Sequence, residues 1–174
     1  MFDSKTRRAI SLICWTTLFL AIGADVGLAT DPLAQSKGQT VYAAAYSHVL
    51  MGEGQHQSSV TATLIIRNTD LANAIVLTTV DYRDSKGEHL RHDVEKPTVI
   101  GPLASLEFVV KDSDKSGGHS PSFIIRWEAN TTVNAPVVET LMIGDRGISF
   151  IGRAWVIAEA GDPQDEGDRS SPTD

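Results

Sequence analysis

The sequence predicts an all-β fold: an antiparallel β-sandwich of about seven to eight strands, immunoglobulin-like in architecture. Three observations predict it. Short runs alternate apolar and polar residues and are rich in β-branched types. Turn-forming Gly, Pro, Asn and Asp interrupt the chain at regular intervals. No window beyond the N-terminal segment carries an apolar stripe of helical period.

The chain opens MFDSKTRRAISLICWTTLFLAIGADVGLATD. Lys5, Arg7 and Arg8 precede an uncharged, mostly apolar run from Ala9 to Ala24, and Gly27 and Ala29 stand where a signal peptidase reads small residues. Residues 1–29 therefore have the layout of a secretory signal peptide. The apolar run is shorter than the roughly 18 residues expected of a spanning helix. The expected location is periplasmic or secreted. The alternative is a protein tethered to the inner membrane by an uncleaved N-terminal helix.

Residues 30–38 read as a linker and residues 39–157 as the folded domain. TVYAAAY (40–46) opens it. VTATLIIRN (60–68) alternates, with Val60, Ala62, Leu64 and Ile66 on one face. IVLTTVDYR (75–83) is dense in β-branched residues. RDSKGEHL follows, with Asp84 to open a turn and Gly87 to take a positive φ. Pro102 sits just ahead of SLEFVVK (105–111), where its missing N–H costs least. That strand points Leu106, Phe108 and Val110 inward. SFIIRWEAN (122–130) points Phe123, Ile125 and Trp127 inward and Arg126 and Glu128 outward. VVETLMIG (137–144) and ISFIGRAWVI (148–157) complete the set. With no cysteine pair between the sheets, Trp127 or Trp155 is expected at the centre. Residues 158–174 are acidic, carry Gly and Pro and hold almost nothing apolar, so they are expected to be a disordered tail.

The formal net charge is −7. That balance argues against a nucleic-acid surface, which needs clustered Lys and Arg. The single cysteine, Cys14, lies in the signal segment. The domain after it has no thiol for a disulfide, a nucleophile or a thiolate metal site.

The stretch KDSDKSGGHSPSF begins as a calcium loop does, with Asp112, Asp114, Ser116 and Gly117 at suggestive spacing. Such a loop needs a bidentate acid at its twelfth position, and Phe123 stands there. A polar turn between strands is the simpler expectation. Of the histidines, His48 and His56 flank the Gly-containing LMGEGQ and can meet across it, whereas His89 and His92, three apart, point to opposite faces of a regular strand. Metal-ligand candidates are His48, His56, Asp112 and Asp114. Ser47 and His48 are neighbours, and neighbours on a strand face opposite ways, so they are not expected to form a dyad. G-x-S-x-G, Walker A, G-x-G-x-x-G and H-E-x-x-H patterns are missing from the sequence. Glu139 shares an alternation phase with Val137, Leu141 and Ile143, and Asp81 lies between Val80 and Tyr82. Both are candidate buried carboxylates that need a partner, with Arg67, Arg126 or Arg153 available to Glu139.

The blocks GQTVYAAAYSH, LIIRNTD, VDYRDSKGEHLR, GPLASLEFVV, GGHSPSFIIRW, PVVETLMIG and GISF, in that order, resemble a bacterial family catalogued as domain of unknown function 3124. The resemblance spans roughly Gly38 to Ile157 and includes Tyr42, His48, Asn68, Asp81, Trp127 and Glu139. The chain departs from the pattern at Pro121 and Ser122, where the family favours alanine and asparagine, and at Ala44, where it favours proline. The resemblance implies an exported bacterial domain and assigns no activity.

The expected function is that of a non-enzymatic binding or interaction module of the cell envelope. Its partner is an envelope protein or a small ligand, and no cofactor is expected. Tyr46, His48 and His119 are the candidate binding patch, if the LMGEGQHQ and DSDKSGGHSP loops share one end of the sandwich. Two alternatives stand beside it. One is a periplasmic metal-binding module using the histidines with Asp112 or Asp114. The other is a hydrolase using Asp81 and Glu139.

Overall fold

In a computed structural model, residues 33–54, 56–144 and 147–160 are described. The expected signal peptide and residues 161–174 of the expected tail lie outside the described residues, whereas Ala158 and Glu159, also expected in the tail, belong to the last strand. Ten strands follow in order: β1 (Gln35–Ala44), β2 (His48–Met51), β3 (His56–Arg67), β4 (Ile75–Arg83), β5 (His89–His92), β6 (Thr98–Ile100), β7 (Ser105–Val110), β8 (Ser122–Asn134), β9 (Val137–Gly144) and β10 (Ser149–Glu159). The described residues contain no helix. The seven longer strands are the ones that periodicity predicts. β2, β5 and β6 span only three or four residues, too few for alternation to be read.

The strands form one continuous, all-antiparallel sheet in the order β2-β3-β9-β10-β1-β8-β4-β5, with β7 also on β3 and β6 also on β4. β10 makes the continuity. Its first half, Ser149–Arg153, pairs with β9, and from Ala154 onward it pairs with β1. Gly152 stands at this changeover. A Cβ there would collide with the Thr140 hydroxyl, which is fully buried and donates to the Ala44 carbonyl at 2.7 Å. β1 begins inside the stretch expected to be linker. Polar side chains hold its ragged start: Ser36 donates to Glu159 at 2.6 Å, and so does Gln39 at 2.8 Å.

The two halves of the sheet share one core, as a sandwich requires. Leu64 and Ile66 from β3 and Met142 from β9 join Ile75, Leu77, Val80 and Tyr82 from β4 and Phe123, Ile125 and Trp127 from β8. Trp127 takes the central place, while Trp155 lies on the surface, 56% exposed. The Asn68 amide anchors the loop edge. Its Nδ2 donates to the carbonyls of Asn73, Ile100 and Gly101 at 2.9–3.1 Å, and its Oδ1 accepts from the Asp70 N–H.

Tyr82 is fully buried, and its hydroxyl has no hydrogen-bond partner among the described residues. The hydroxyl sits against Gly117, where a Cβ would overlap it, and the Arg91 guanidinium lies 4.3 Å from the ring centre. Burial, reinforced by the Asp114 carboxylate, pushes the phenol up to about 12. The folded state therefore holds this proton more tightly than the unfolded chain. The corresponding stability is full below about pH 10 and is lost as pH rises toward about 12. Tyr82→Phe should be no less stable than the wild type at pH 7, because it deletes an unsatisfied buried hydroxyl. It should also lose less stability than the wild type across that alkaline window. Urea melts of both proteins at pH 7 and pH 11 check this; a variant that melts earlier at pH 7 means the hydroxyl has a partner.

Candidate functional site

The loop end anticipated as a binding patch is assembled in part. The His48 and His119 rings lie 4.2 Å apart, with Nε2 of His48 2.8 Å from Nδ1 of His119. Tyr46 is not part of this contact; its ring packs edge-on against Phe150. The premise that Ser47 and His48 face opposite ways is corrected, because the Ser47 hydroxyl lies 3.2 Å from His48 Nδ1. Ser47 occupies a bend ahead of β2 rather than a strand, so the rule of opposite faces does not hold there. The pair is nonetheless wired unlike a nucleophile and its base. Buried Ser47 gives its proton to the Gly118 carbonyl, so His48 Nδ1–H must donate to Ser47 and His48 Nε2 must accept from His119. Partial burial, then His119, then Lys115 lower the His48 pKa, which favours this neutral form.

The proposed calcium loop is a pair of turns, closed by Asp114 N–H to Lys111 and Gly118 N–H to Lys115. Asp114 is already committed. It accepts from the Ser116 backbone and hydroxyl and from Arg91 at 3.0 Å, and these bonds lower its pKa. The candidate ligands His48, His56, Asp112 and Asp114 do not converge as a group of three among the described residues.

Glu139 is also corrected. The inward face of β9 carries Val138, Thr140 and Met142, and Glu139 points outward to a surface pair with Arg67 at 3.9 Å. Asp81 in β4 and Glu139 in β9 belong to different halves of the sheet and keep different partners, so they are not a catalytic pair.

Asp81 has a different environment, created by two β-bulges. β4 points Ile75 and Leu77 into the core. Without interruption the same phase would bury Thr79 and Asp81 there. The register between β4 and β8 shifts between Leu77 and Thr79. Thr78 is the extra residue, and its hydroxyl bonds the Arg126 carbonyl at 3.2 Å. Val80 and Tyr82 then enter the core, and Asp81 and Arg83 turn to the outer face. A second shift sets Asp81 opposite His92 and Arg83 opposite His89, with Leu90 as the extra residue. This bulge overturns the expectation for the HLRH segment: His89 and His92 share one face.

The result is a compact cluster. Asp81 Oδ1 lies 2.6 Å from His92 Nδ1 and 3.7 Å from His89 Nε2, while Oδ2 lies 4.0 Å from an Arg83 nitrogen. The imidazole rings are 4.1 Å apart. The Asp81 side chain is only 6% exposed, covered by these neighbours, whereas that of His92 is 62% exposed.

Next to the cluster the same face is hollow. Register places His92, Asp81, Ile124, Tyr42 and Trp155 in one row across β5, β4, β8, β1 and β10. Side chains directly opposite one another share a face. A cavity of about 390 Å³ opens on that face, floored by Tyr42, Ile124 and Ile157 and flanked by Arg83 and Arg126. Arg83 also donates to the Gly87 carbonyl at 3.1 Å, which fixes the turn at the cavity's edge. Among the described residues, no acid, histidine or cysteine lines it. Sequence reading missed this site because its residues come from four strands. The one available signal was the outward phase of Arg126 in SFIIRWEAN.

A family model described as "Protein of unknown function (DUF3124)" matches residues 38–157. No curated protein and no solved structure matches the chain.

Proposed function

Because the chain belongs to the DUF3124 family, which assigns it no activity, we propose its function from its own surface: a non-enzymatic binding module of the cell envelope that takes a small anionic ligand with an apolar body. The observation that carries this reading is the outer-face cavity. Its volume of about 390 Å³ falls in the range, about 300–1,000 Å³, that small-molecule sites occupy. Tyr42, Ile124 and Ile157 offer apolar surface to a ring or short chain. Arg83 and Arg126 supply planar donor forks suited to a carboxylate, sulfonate or phosphate group. In a chain of net charge −7, two guanidiniums in one lining, one of them also facing Asp81, offer an anion cationic donors. The lining has hydroxyls in Thr40 and Ser122 but no base to activate them, which supports binding over hydrolysis. Export, to the periplasm or beyond, is part of the proposal and rests on the N-terminal segment; tethering by that segment is the alternative.

The probe is 8-anilinonaphthalene-1-sulfonate, an aromatic anion whose fluorescence rises when its rings leave water. The folded protein should bind it saturably. Ile124→Glu, which sets a carboxylate on the cavity floor, should weaken it at least about tenfold, or 1.4 kcal/mol, while His48→Ala should leave it unchanged. No saturable signal from the native protein, or an unaffected Ile124→Glu variant, ends the proposal for this face. Sensitivity to His48→Ala would move the site to the loop end.

A further inference from the structure

We infer that Asp81, His89 and His92 form a binding site for a single zinc-class divalent metal ion at the outer edge of β4 and β5. Among the described residues this is the one group of three ligand-type side chains whose donor atoms all lie within 4.8 Å of one another. The chemistry of the set is that of borderline-soft divalent cations: two imidazole nitrogens and one carboxylate oxygen.

The geometry suits one ion. Ligands about 2.0–2.1 Å from a tetrahedral metal stand roughly 3.3 Å from one another. Asp81 Oδ1 and His89 Nε2, at 3.7 Å, are close to that spacing. Asp81 Oδ1 and His92 Nδ1, at 2.6 Å, are held as a hydrogen-bonded pair that must open slightly. His92 is the most exposed of the three, so it can turn aside to admit the ion. Oδ2 of Asp81 faces Arg83, which orients the carboxylate and leaves Oδ1 to the imidazoles. Three protein ligands leave a fourth position open toward solvent, the arrangement of metal sites that accept an external ligand.

The backbone argues for the same assignment. A regular β5 would separate His89 from His92 across the strand. The extra residue Leu90 brings both imidazoles to the nearly buried carboxylate. A carboxylate that needed only neutralisation would be served by Arg83 alone. Two imidazoles held 4.1 Å apart, both within reach of the same carboxylate oxygen, converge on one point as ligands of a shared cation do.

The test uses the full chain purified without a histidine tag and stripped with a chelator. Co²⁺ serves as the probe, because its visible absorption reports coordination directly. One equivalent should bind and give an imidazole-type spectrum, and Zn²⁺ should displace it. His89→Ala and Asp81→Asn should each weaken binding at least about tenfold. His48→Ala, at the other histidine pair, should not change it. His89 lies on an exposed edge, so His89→Ala should keep its near-ultraviolet circular dichroism and separate ligand loss from unfolding. A spectrum that stays that of hexaaqua cobalt, or one that survives His89→Ala but vanishes with His48→Ala, overturns the inference. The result is independent of anilinonaphthalene sulfonate binding, since it is read from the cobalt spectrum of the chain with Ile124 intact.

Discussion

Asn68→Asp should destabilise the domain by roughly 3–5 kcal/mol although it changes the side chain by a single atom. The amide faces three carbonyl oxygens with its Nδ2 and one N–H with its Oδ1. The carboxylate that replaces it has no donor to offer and sets a charge against the Asn73, Ile100 and Gly101 oxygens. Asn68 is 2% exposed, so water cannot relieve that repulsion. Total stability of a domain of this kind is about 5–15 kcal/mol, so the variant should be near its folding threshold at pH 7. The sign of its pH dependence is diagnostic. Folding should raise the pKa of the introduced carboxylate above its unfolded value, since only the protonated form is tolerated. Stability should therefore recover as pH falls toward 4 and fade again as pH rises. Urea melts at pH 4 and pH 7 measure this, and a variant equally stable at both values would contradict the assigned amide orientation. The contacts join the end of β3 to the turn after β6, so the cost falls on the edge that holds those elements together.

Phe123→Ala should cost about 3–5 kcal/mol by removing a fully buried ring from the start of β8. Tyr82 packs against that ring at 5.2 Å between centres, and Val80 and Ile125 belong to the same core cluster. These side chains sit on paired strands and cannot collapse into the void without disturbing β4 and β8. The urea midpoint should fall while the slope of the transition holds, because the surface exposed on unfolding changes little. The cavity on the other side of the same strand gives a second readout. Ile124 and Arg126 alternate with Phe123 and Ile125, so a loosened β8 should also weaken anilinonaphthalene sulfonate binding. A midpoint shift below about 1 kcal/mol would mean that the ring is not packed as described.

Comparison of individual strands shows how much was legible in advance. SLEFVVK and SFIIRWEAN were read to the correct face because nothing interrupts their alternation between Leu106 and Val110 or between Phe123 and Trp127. VVETLMIG was read one position out of phase. Its seven apolar or small residues fit either face, and only pairing with β3 and β10 selects Val138, Thr140 and Met142 for the interior. The Thr140 hydroxyl is acceptable there because the Ala44 carbonyl lies within reach, a partner supplied from ninety-six residues away. The loop-end histidines were legible as neighbours, since His48 and His119 do meet. The bend that brings Ser47 to His48 was not.

Local sequence determined that this domain is built of strands, because β-branched residues, period-two alternation and turn residues act over a few positions and need no partner. It also determined the family to which residues 38–157 belong. The tertiary structure alone decided which way Asp81 points, that His89 and His92 share a face, and that Tyr42, Arg83, Ile124 and Arg126 enclose one hollow. Each of these follows from register. Inserting one residue opposite a partner strand reverses every side chain beyond it, and a bulge is fixed by the strand across the ladder rather than by the residues that form it.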